Sequence, residues 1–430
     1  MIPQIMDAAP PGSRIVVAGV NTRGDRFVPA LAIVKELELR FGFGYSPKEF
    51  AATLARVARS PEAVAPLITS IVGVDGVTGA IDALRVGEQI NVLIEHQRAH
   101  WSLRMRKYGV SMTNISRTTV RIPTPSGFDI EAWFFLPEGQ GPFPAVVMGH
   151  GLGAVKVGGL SSFAERFCRE GFAAVVIDYR QWGGSEGQQP RDELSVPRQR
   201  EDYSAAIGWA AAQPNVDEHR IFVWGTSFAG MHATALAASD HRLAGAIAQC
   251  PLVDGLAGSR LVRPTRSLAL FATAIIDRLG SLLGRAPIYL PVNVAPGEWG
   301  IADTSDALFG KKVMHPREPV DWHNRMAARS LLSIPAHRPV RHARDINIPI
   351  LLIVAESDTQ APVGPALAVA DRAPQAELHR SKGGHYDVYD GGIAFDDVIE
   401  WEVDFLRRHA RIAPFGPTTA QGPLPTRSGE

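Results

Sequence analysis

Three side chains, far apart in the chain, have the types and the settings for acyl chemistry. The run Ile221-Phe-Val-Trp-Gly225-Thr-Ser227-Phe-Ala229-Gly230 ends an apolar strand on a Gly-x-Ser-x-Ala turn and continues as a helical pattern. Small residues at 225 and 229 leave room for a sharp strand-to-helix turn. Such a turn lifts the Ser227 hydroxyl to the carboxyl edge of a sheet, at a helix N-terminus where backbone N–H groups face developing negative charge. A serine hydroxyl is a weak nucleophile at neutral pH and needs a base. Leu351-Leu-Ile-Val-Ala-Glu-Ser-Asp358 places a carboxylate on the loop after an apolar strand, and Lys382-Gly-Gly-His385 places an imidazole on a glycine-rich loop before the last helix. The order serine, acid, histidine assigns Ser227 as nucleophile, Asp358 as orienting acid and His385 as general base. Glu356 and Asp254 compete for the acid role. Glu356 is expected still within the strand, and Asp254 follows the preceding strand. His150 and His379 compete for the base, but His150 belongs to a glycine-rich turn and His379 alternates within a strand.

A tetrahedral oxyanion needs two backbone N–H donors. One comes from the residue after the nucleophile, Phe228, and one from the loop after an earlier strand. Met148-Gly-His150-Gly151-Leu152-Gly153 ends a strand on a His-Gly-x-Gly turn and points to Leu152. Gly151, Gly153, Gly158 and Gly159 do not space as a dinucleotide fingerprint, so no cofactor phosphate is expected on this turn.

These groups meet only if the ends of several strands reach one edge. Residues 117–122 and 130–135 flank the turn Thr124-Pro-Ser-Gly127 and predict an antiparallel hairpin. Apolar runs at 145–148, 173–177, 221–224 and 244–248, with helical patterns at 163–170, 202–212 and 228–238 between them, predict a parallel sheet covered on both faces. The strand pattern resumes at 350–354 and near 377–378, and a last helix is predicted over 395–409. Helical pieces are also predicted at 265–283 and around 322–333. The expected organisation is a helical N-terminal module over 1–112, a core formed by 113–251 and 346–412, a cap or lid insertion over 252–345 and a disordered tail over 413–430. The N-terminal helices are read from the capping box Ser46-Pro-Lys-Glu49 and from an apolar periodicity over 88–108. The roughly hundred residues of the insertion far exceed a plain strand–helix–strand connection. Its apolar stretch over 265–284 is either packing on the core or a hydrophobic lid or partner surface.

Composition bounds the partners. Of 430 residues, 45% are hydrophobic and 20% charged, an ordinary globular balance that excludes disorder throughout. Forty-four basic residues balance 44 acidic ones, leaving no global basic excess to drive binding to nucleic acid or to an anionic membrane. Cys168 and Cys250 cannot form a disulfide framework and read as buried free thiols. Prolines and Asp7 interrupt the first 24 residues where a secretory signal needs an apolar run, and no stretch suits a membrane span. A cytoplasmic location is the resulting expectation, with a homo-oligomer left open.

Gly149-His-Gly-Leu-Gly-Ala-Val-Lys156, Ile177-Asp-Tyr-Arg-Gln-Trp-Gly183-Gly-Ser-Glu-Gly187, Trp224-Gly-Thr-Ser-Phe-Ala-Gly230 and Gly383-Gly-His-Tyr-Asp-Val-Tyr389 appear in this order. Together they resemble the α/β-hydrolase superfamily, over about residues 114–409. Within it the chain is similar to the branch of dienelactone-hydrolase-like esterases and fungal polyketide transferases. The resemblance implies a mostly parallel sheet with helices on both faces and a cofactor-free Ser-Asp-His site for acyl or carbonyl chemistry. Ala229 departs from the glycine many members carry, and the N-terminal module lies outside the core fold. The expected function is a serine hydrolase acting on an ester, lactone or thioester of a mainly apolar small molecule. Three alternatives stay open: transfer of a polyketide-type acyl group to an alcohol, carbon–carbon bond hydrolysis of a diketone-type substrate, and a non-catalytic binding module.

Overall fold

Near-continuous apolar runs such as Ile350-Leu-Leu-Ile-Val-Ala355 cannot alternate between core and water, so they demand cover on both faces. The computed structural model describes residues 6–18, 29–42, 70–73, 92–95, 115–316 and 318–411. The chain divides into two compact units, Met1–Val110 and Ser111–Glu430.

In the first unit β1 (Arg14–Ala18) precedes α1 (Pro29–Val34) and pairs in parallel with β2 (Glu38–Gly42), while β3 (Ser70–Gly73) pairs in parallel with β4 (Val92–Glu95). The helical reading of this region is corrected at β4, which lies inside the predicted 88–108 helix. A short apolar run satisfies helix and strand patterns alike, and Val92-Leu-Ile finds a ladder partner in Ser70-Ile-Val. The capping box at 46–49 and the rest of the 88–108 run lie outside the described residues, as does the tail from 412.

The second unit is built on one eight-stranded sheet. Its strands are β5 (Ser116–Pro123), β6 (Asp129–Leu136), β7 (Phe143–Gly149), β8 (Ala173–Ile177), β9 (Val216–Thr226), β10 (Leu243–Gln249), β13 (Ile350–Ala355) and β14 (Ala376–Ser381). Their spatial order is β5-β6-β8-β7-β9-β10-β13-β14, antiparallel at the β5–β6–β8 end and parallel from β8 onward. The predicted hairpin and each predicted core strand are present. Helices α2 (Ser161–Arg169), α3 (Val196–Ala211), α4 (Phe228–Ala237), α8 (Val363–Arg372) and α9 (Phe395–Ala410) connect or follow the parallel strands. Helix α3 starts six residues before its predicted start, because its first turn (Val196-Pro-Arg-Gln-Arg-Glu) carries no apolar period while Pro197 suits that turn.

Between β10 and β13 lie α5 (Gly255–Ser259), α6 (Pro264–Leu282), β11 (Tyr289–Pro291), α7 (Ser305–Val313) and β12 (Arg325–Ala327). The predicted helix around 322–333 is replaced by β12, antiparallel to β11, and a 3-10 turn over Ala328–Leu332.

A buried acid packed beside the sheet has consequences for stability. Trp224, at the end of β9, donates its indole N–H to Glu402 Oε1 on α9 at 2.9 Å, and Glu402 Oε2 has no partner among the described residues. Burial pushes the Glu402 carboxyl up from 4.5 to about 8. Between those values the folded chain keeps a proton that the unfolded chain releases, so stability falls as pH rises through this window. Glu402→Gln keeps an acceptor for Trp224 and removes the titration. Calorimetry should find its melting temperature above that of the parent near the upper end of the window and level with it near the lower end. A difference independent of pH would contradict the assignment.

Candidate active site

Ser227 is held at φ 56°, ψ −116° between β9 and α4, a conformation that costs a non-glycine residue on the order of 1–3 kcal/mol. Its neighbours over-determine it. A Cβ on Gly225 would collide with the carbonyl oxygen of Ala229, and Ala229 is itself wholly buried. The Ser227 N–H donates to Gln249 O at 2.8 Å, and Leu252 N–H donates to Ser227 O at 3.0 Å. The strained turn predicted from Gly-x-Ser-x-Ala is present, with the hydroxyl at the carboxyl edge of the parallel strands. That hydroxyl makes no hydrogen bond to another described residue.

β13 and β14 run parallel to β9, so the loops that follow them emerge at the same edge. Asp358 lies three residues past β13. Its Oδ1 accepts the N–H groups of Gln360 and Ala361, both at 2.8 Å, and its Oδ2 meets His385 Nδ1 at 2.7 Å. The two side chains are 2% and 1% exposed, so the contact is shielded from water. With Nδ1 taken by the carboxylate, His385 Nε2 is left to exchange a proton. The structure thus brings Asp358 and His385 together, and it does not place Ser227 in hydrogen-bond contact with either. Catalytic hydrogen bonds often close only in a substrate complex.

The rival acids and bases stand in other settings. Glu356 stands exposed just past the end of β13 rather than within it. Asp254 caps α5 through Leu256 N–H and Ala257 N–H and pairs with Arg338 at 2.7 Å. His379 stacks on Trp401 with ring centroids 4.6 Å apart. Burial holds His150 down to about 4, so its ring is neutral near pH 7.

Leu152 and Phe228 line a cavity of about 60 Å³ in front of Ser227. Neither gives its backbone N–H to another described residue, which leaves both free to face an oxyanion. The absence of a side chain at Gly151 sets their approach: a Cβ there would stand 3.2 Å from Ser227 Cβ and 3.5 Å from Oγ. The loop is anchored from behind by ions. Lys156 donates its backbone N–H to Asp178 Oδ1 at 2.6 Å, and its Nζ reaches Asp178 Oδ2 at 2.5 Å and Glu131 Oε1 at 2.7 Å. Beside it Arg180 Nε binds Asp202 Oδ1 at 2.6 Å. Asp178-Tyr-Arg180 therefore braces the loops beside the serine.

Several contributors carry no sequence signal. Val292, Asn293, Ala302 and Met314, all from the long insertion, line the same cavity with Gln360, Tyr386 and Tyr389. Asp306, in the first turn of α7, accepts at Oδ2 from Thr359 N–H at 3.1 Å, Thr359 Oγ1 at 2.8 Å and His385 N–H at 3.2 Å. One carboxylate of the insertion thus ties the Asp358 loop to the His385 loop. Asp306→Ala should cut kcat about tenfold to hundredfold, the scale of an ångström-sized misplacement, with the circular dichroism of the folded chain unchanged. Parent-like kcat in that variant would deny Asp306 any positioning role.

Cys250 Sγ lies within 4.8 Å of the facing atoms of Asp358 and His385, a set that in principle offers S, O and N donors to a metal. Burial raises the Cys250 thiol well above its ordinary range, so the thiolate a metal requires is disfavoured. A metal would also have to break the Asp358–His385 contact. Cys168 is likewise buried, its thiol pushed up to about 12, and both cysteines are free.

A mostly parallel sheet with a strained serine elbow at its carboxyl edge defines an α/β-hydrolase, and the chain belongs to that superfamily. Over residues 126–273 it matches the family model described as X-Pro dipeptidyl-peptidase (S15 family). It is 37% identical over 302 residues to the quorum-quenching protein AidA of Acinetobacter baumannii, covering 70% of this chain and 98% of that protein. It is 28% identical to a thiohydrolase of Eupenicillium brefeldianum over 68% of this chain and 94% of that one. Among solved structures it resembles the α/β-hydrolase GrgF of Penicillium sp. sh18, with a TM-score of 0.60 and 27% identity over 69% of this chain and all of that one. The same GrgF bears the name polyketide transferase.

Proposed function

We propose that the protein is a serine hydrolase that cleaves an ester, lactone or thioester of a mainly apolar small molecule. The observation that carries this reading is the shielded 2.7 Å contact between His385 Nδ1 and Asp358 Oδ2 at the sheet edge that also presents the unbonded Ser227 hydroxyl. Ser227 Oγ attacks the carbonyl carbon while its proton passes to His385 Nε2. The carbonyl oxygen takes up the negative charge facing the N–H groups of Leu152 and Phe228. Collapse breaks the bond to the alcohol or thiol, which leaves with the proton from His385. Water, deprotonated by the same imidazole, then releases the acid and restores the serine. Leu252, Val292, Ala302 and Met314 around the cavity favour an apolar acyl group over a sugar or peptide. Residues 252–345 act in this reading as a cap over the serine.

The decisive experiment is labelling with a fluorophosphonate followed by mass spectrometry of the digest. A single adduct on the peptide carrying Ser227, together with turnover of p-nitrophenyl or thiol esters, is expected. An unlabelled, inactive protein would leave a binding module as the better account. One observation favours a second reading: the cavity before Ser227 is small and partly roofed by the insertion, an arrangement that could keep water from the acyl-enzyme. The likeness to a polyketide transferase supports acyl transfer to an alcohol by the same three side chains. Product analysis with an aliphatic alcohol present separates the two, since a transferase yields the new ester in excess of the acid.

A further inference from the structure

Helix α6 presents its apolar side to solvent. Leu268, Phe271, Ile275, Leu279 and Leu282 recur at intervals of three and four residues, the spacing of one helical face, and Ile276 borders them. Their exposure runs from 38% at Ile275 to 70% at Leu282. The orientation of the helix is fixed from the opposite side. There Leu270 and Ala274 are buried, and the buried Asp277 carboxylate accepts Ile288 N–H at 2.8 Å and pairs with the Arg329 guanidinium at 2.8 Å. Turning the stripe inward would strip Asp277 of these partners, so the apolar face is committed outward. A contiguous stripe of this kind on a folded surface marks a contact with something apolar.

The charges around the stripe select the occupant. Arg263 precedes the helix, Arg278 stands exposed on it and Arg285 follows it, and none has an ion-pair partner among the described residues. The one carboxylate within the helix is the buried Asp277. A second copy of the chain laid on this face by a two-fold axis would bring arginine against arginine in either direction, with no exposed acid on the helix to offset them. An anionic lipid surface suits both features, taking apolar side chains at the headgroup boundary and guanidinium groups on its phosphates. No helix among the described residues is long and apolar enough to cross a membrane, so the contact would lie in the plane of the interface.

We propose that the outward face of α6 docks the protein on an anionic lipid surface. Docking requires nothing of Ser227, Asp358 or His385, so the experiment measures binding alone. The full chain is floated with vesicles of phosphatidylcholine, with and without roughly 30% phosphatidylglycerol. Its mass in solution is measured in parallel by light scattering. The parent is expected to float with the anionic vesicles and to be released by about 0.5 M salt. Phe271→Glu/Leu279→Glu and, separately, Arg278→Glu/Arg285→Glu should each weaken binding at least about tenfold. All four positions are already exposed, and circular dichroism checks that the variants stay folded. Absence of flotation, or flotation that neither pair of substitutions weakens, overturns the proposal. A parent dimer that the Phe271 and Leu279 substitutions disperse, with no vesicle binding, overturns it in favour of an interface between copies.

Discussion

Ser227→Ala should lower kcat for ester turnover by about 10⁴–10⁶, the usual consequence of losing a triad nucleophile. Nothing else at the elbow supplies a substitute. The nearby Cys250 is wholly buried with its thiol held protonated, and Thr226 is buried and hydrogen-bonded to Tyr389 at 2.9 Å. Alanine tolerates the site as well as serine does, because the positive φ penalises any Cβ equally and the backbone bonds to Gln249 and Leu252 do not involve the side chain. The variant should therefore remain folded and keep its ground-state affinity, which a competitive product analogue can report. A loss below about tenfold would mean that the chemistry occurs elsewhere.

Asp358→Asn should be nearly as damaging, at about 10⁴ in kcat. Asparagine can still accept from the N–H groups of Gln360 and Ala361 through its carbonyl oxygen, which leaves its amide N–H₂ facing His385. The imidazole must then accept at Nδ1 and carry its proton on Nε2, the nitrogen needed to receive the serine proton. The fold loses little and the tautomer is wrong. A pH–rate profile makes the test sharp: the variant should recover part of its rate in strong base, where hydroxide replaces the imidazole. Activity within tenfold of the parent at neutral pH would return the acid role to another carboxylate. Asp254 is a poor successor, since it caps α5 and pairs with Arg338.

The same contrast between local and convergent information runs through the fold. The elbow was legible because its requirement is local: a short strand, small residues on either side of a serine, and a helix. Core strands were legible because burial on both faces leaves an unbroken apolar run, as in Ile350–Ala355. Less was legible where a short segment draws its state from a distant partner. Val92–Glu95 has the composition of a strand and the period of a helix, and its pairing with Ser70–Gly73 decides between them. Arg325–Ala327 likewise takes its extended form from Tyr289–Pro291. Helix α3 outran its prediction because its first turn has a polar composition while the apolar period begins later.

The sequence by itself determined the chemistry on offer: a serine on a turn that only small neighbours permit, a carboxylate after a strand and an imidazole on a glycine loop, in a workable order. Those are properties of a few adjacent residues each, and short-range sterics enforce them. Tertiary structure alone decided that Asp254 is spent on capping α5 and pairing with Arg338, that Asp306 ties the loops of Asp358 and His385, and that α6 turns its apolar side outward. Each of these depends on which surfaces meet across tens of residues, where the pairing of Asp277 with Arg329 or of Asp254 with Arg338 outweighs any local preference and leaves no pattern in the chain.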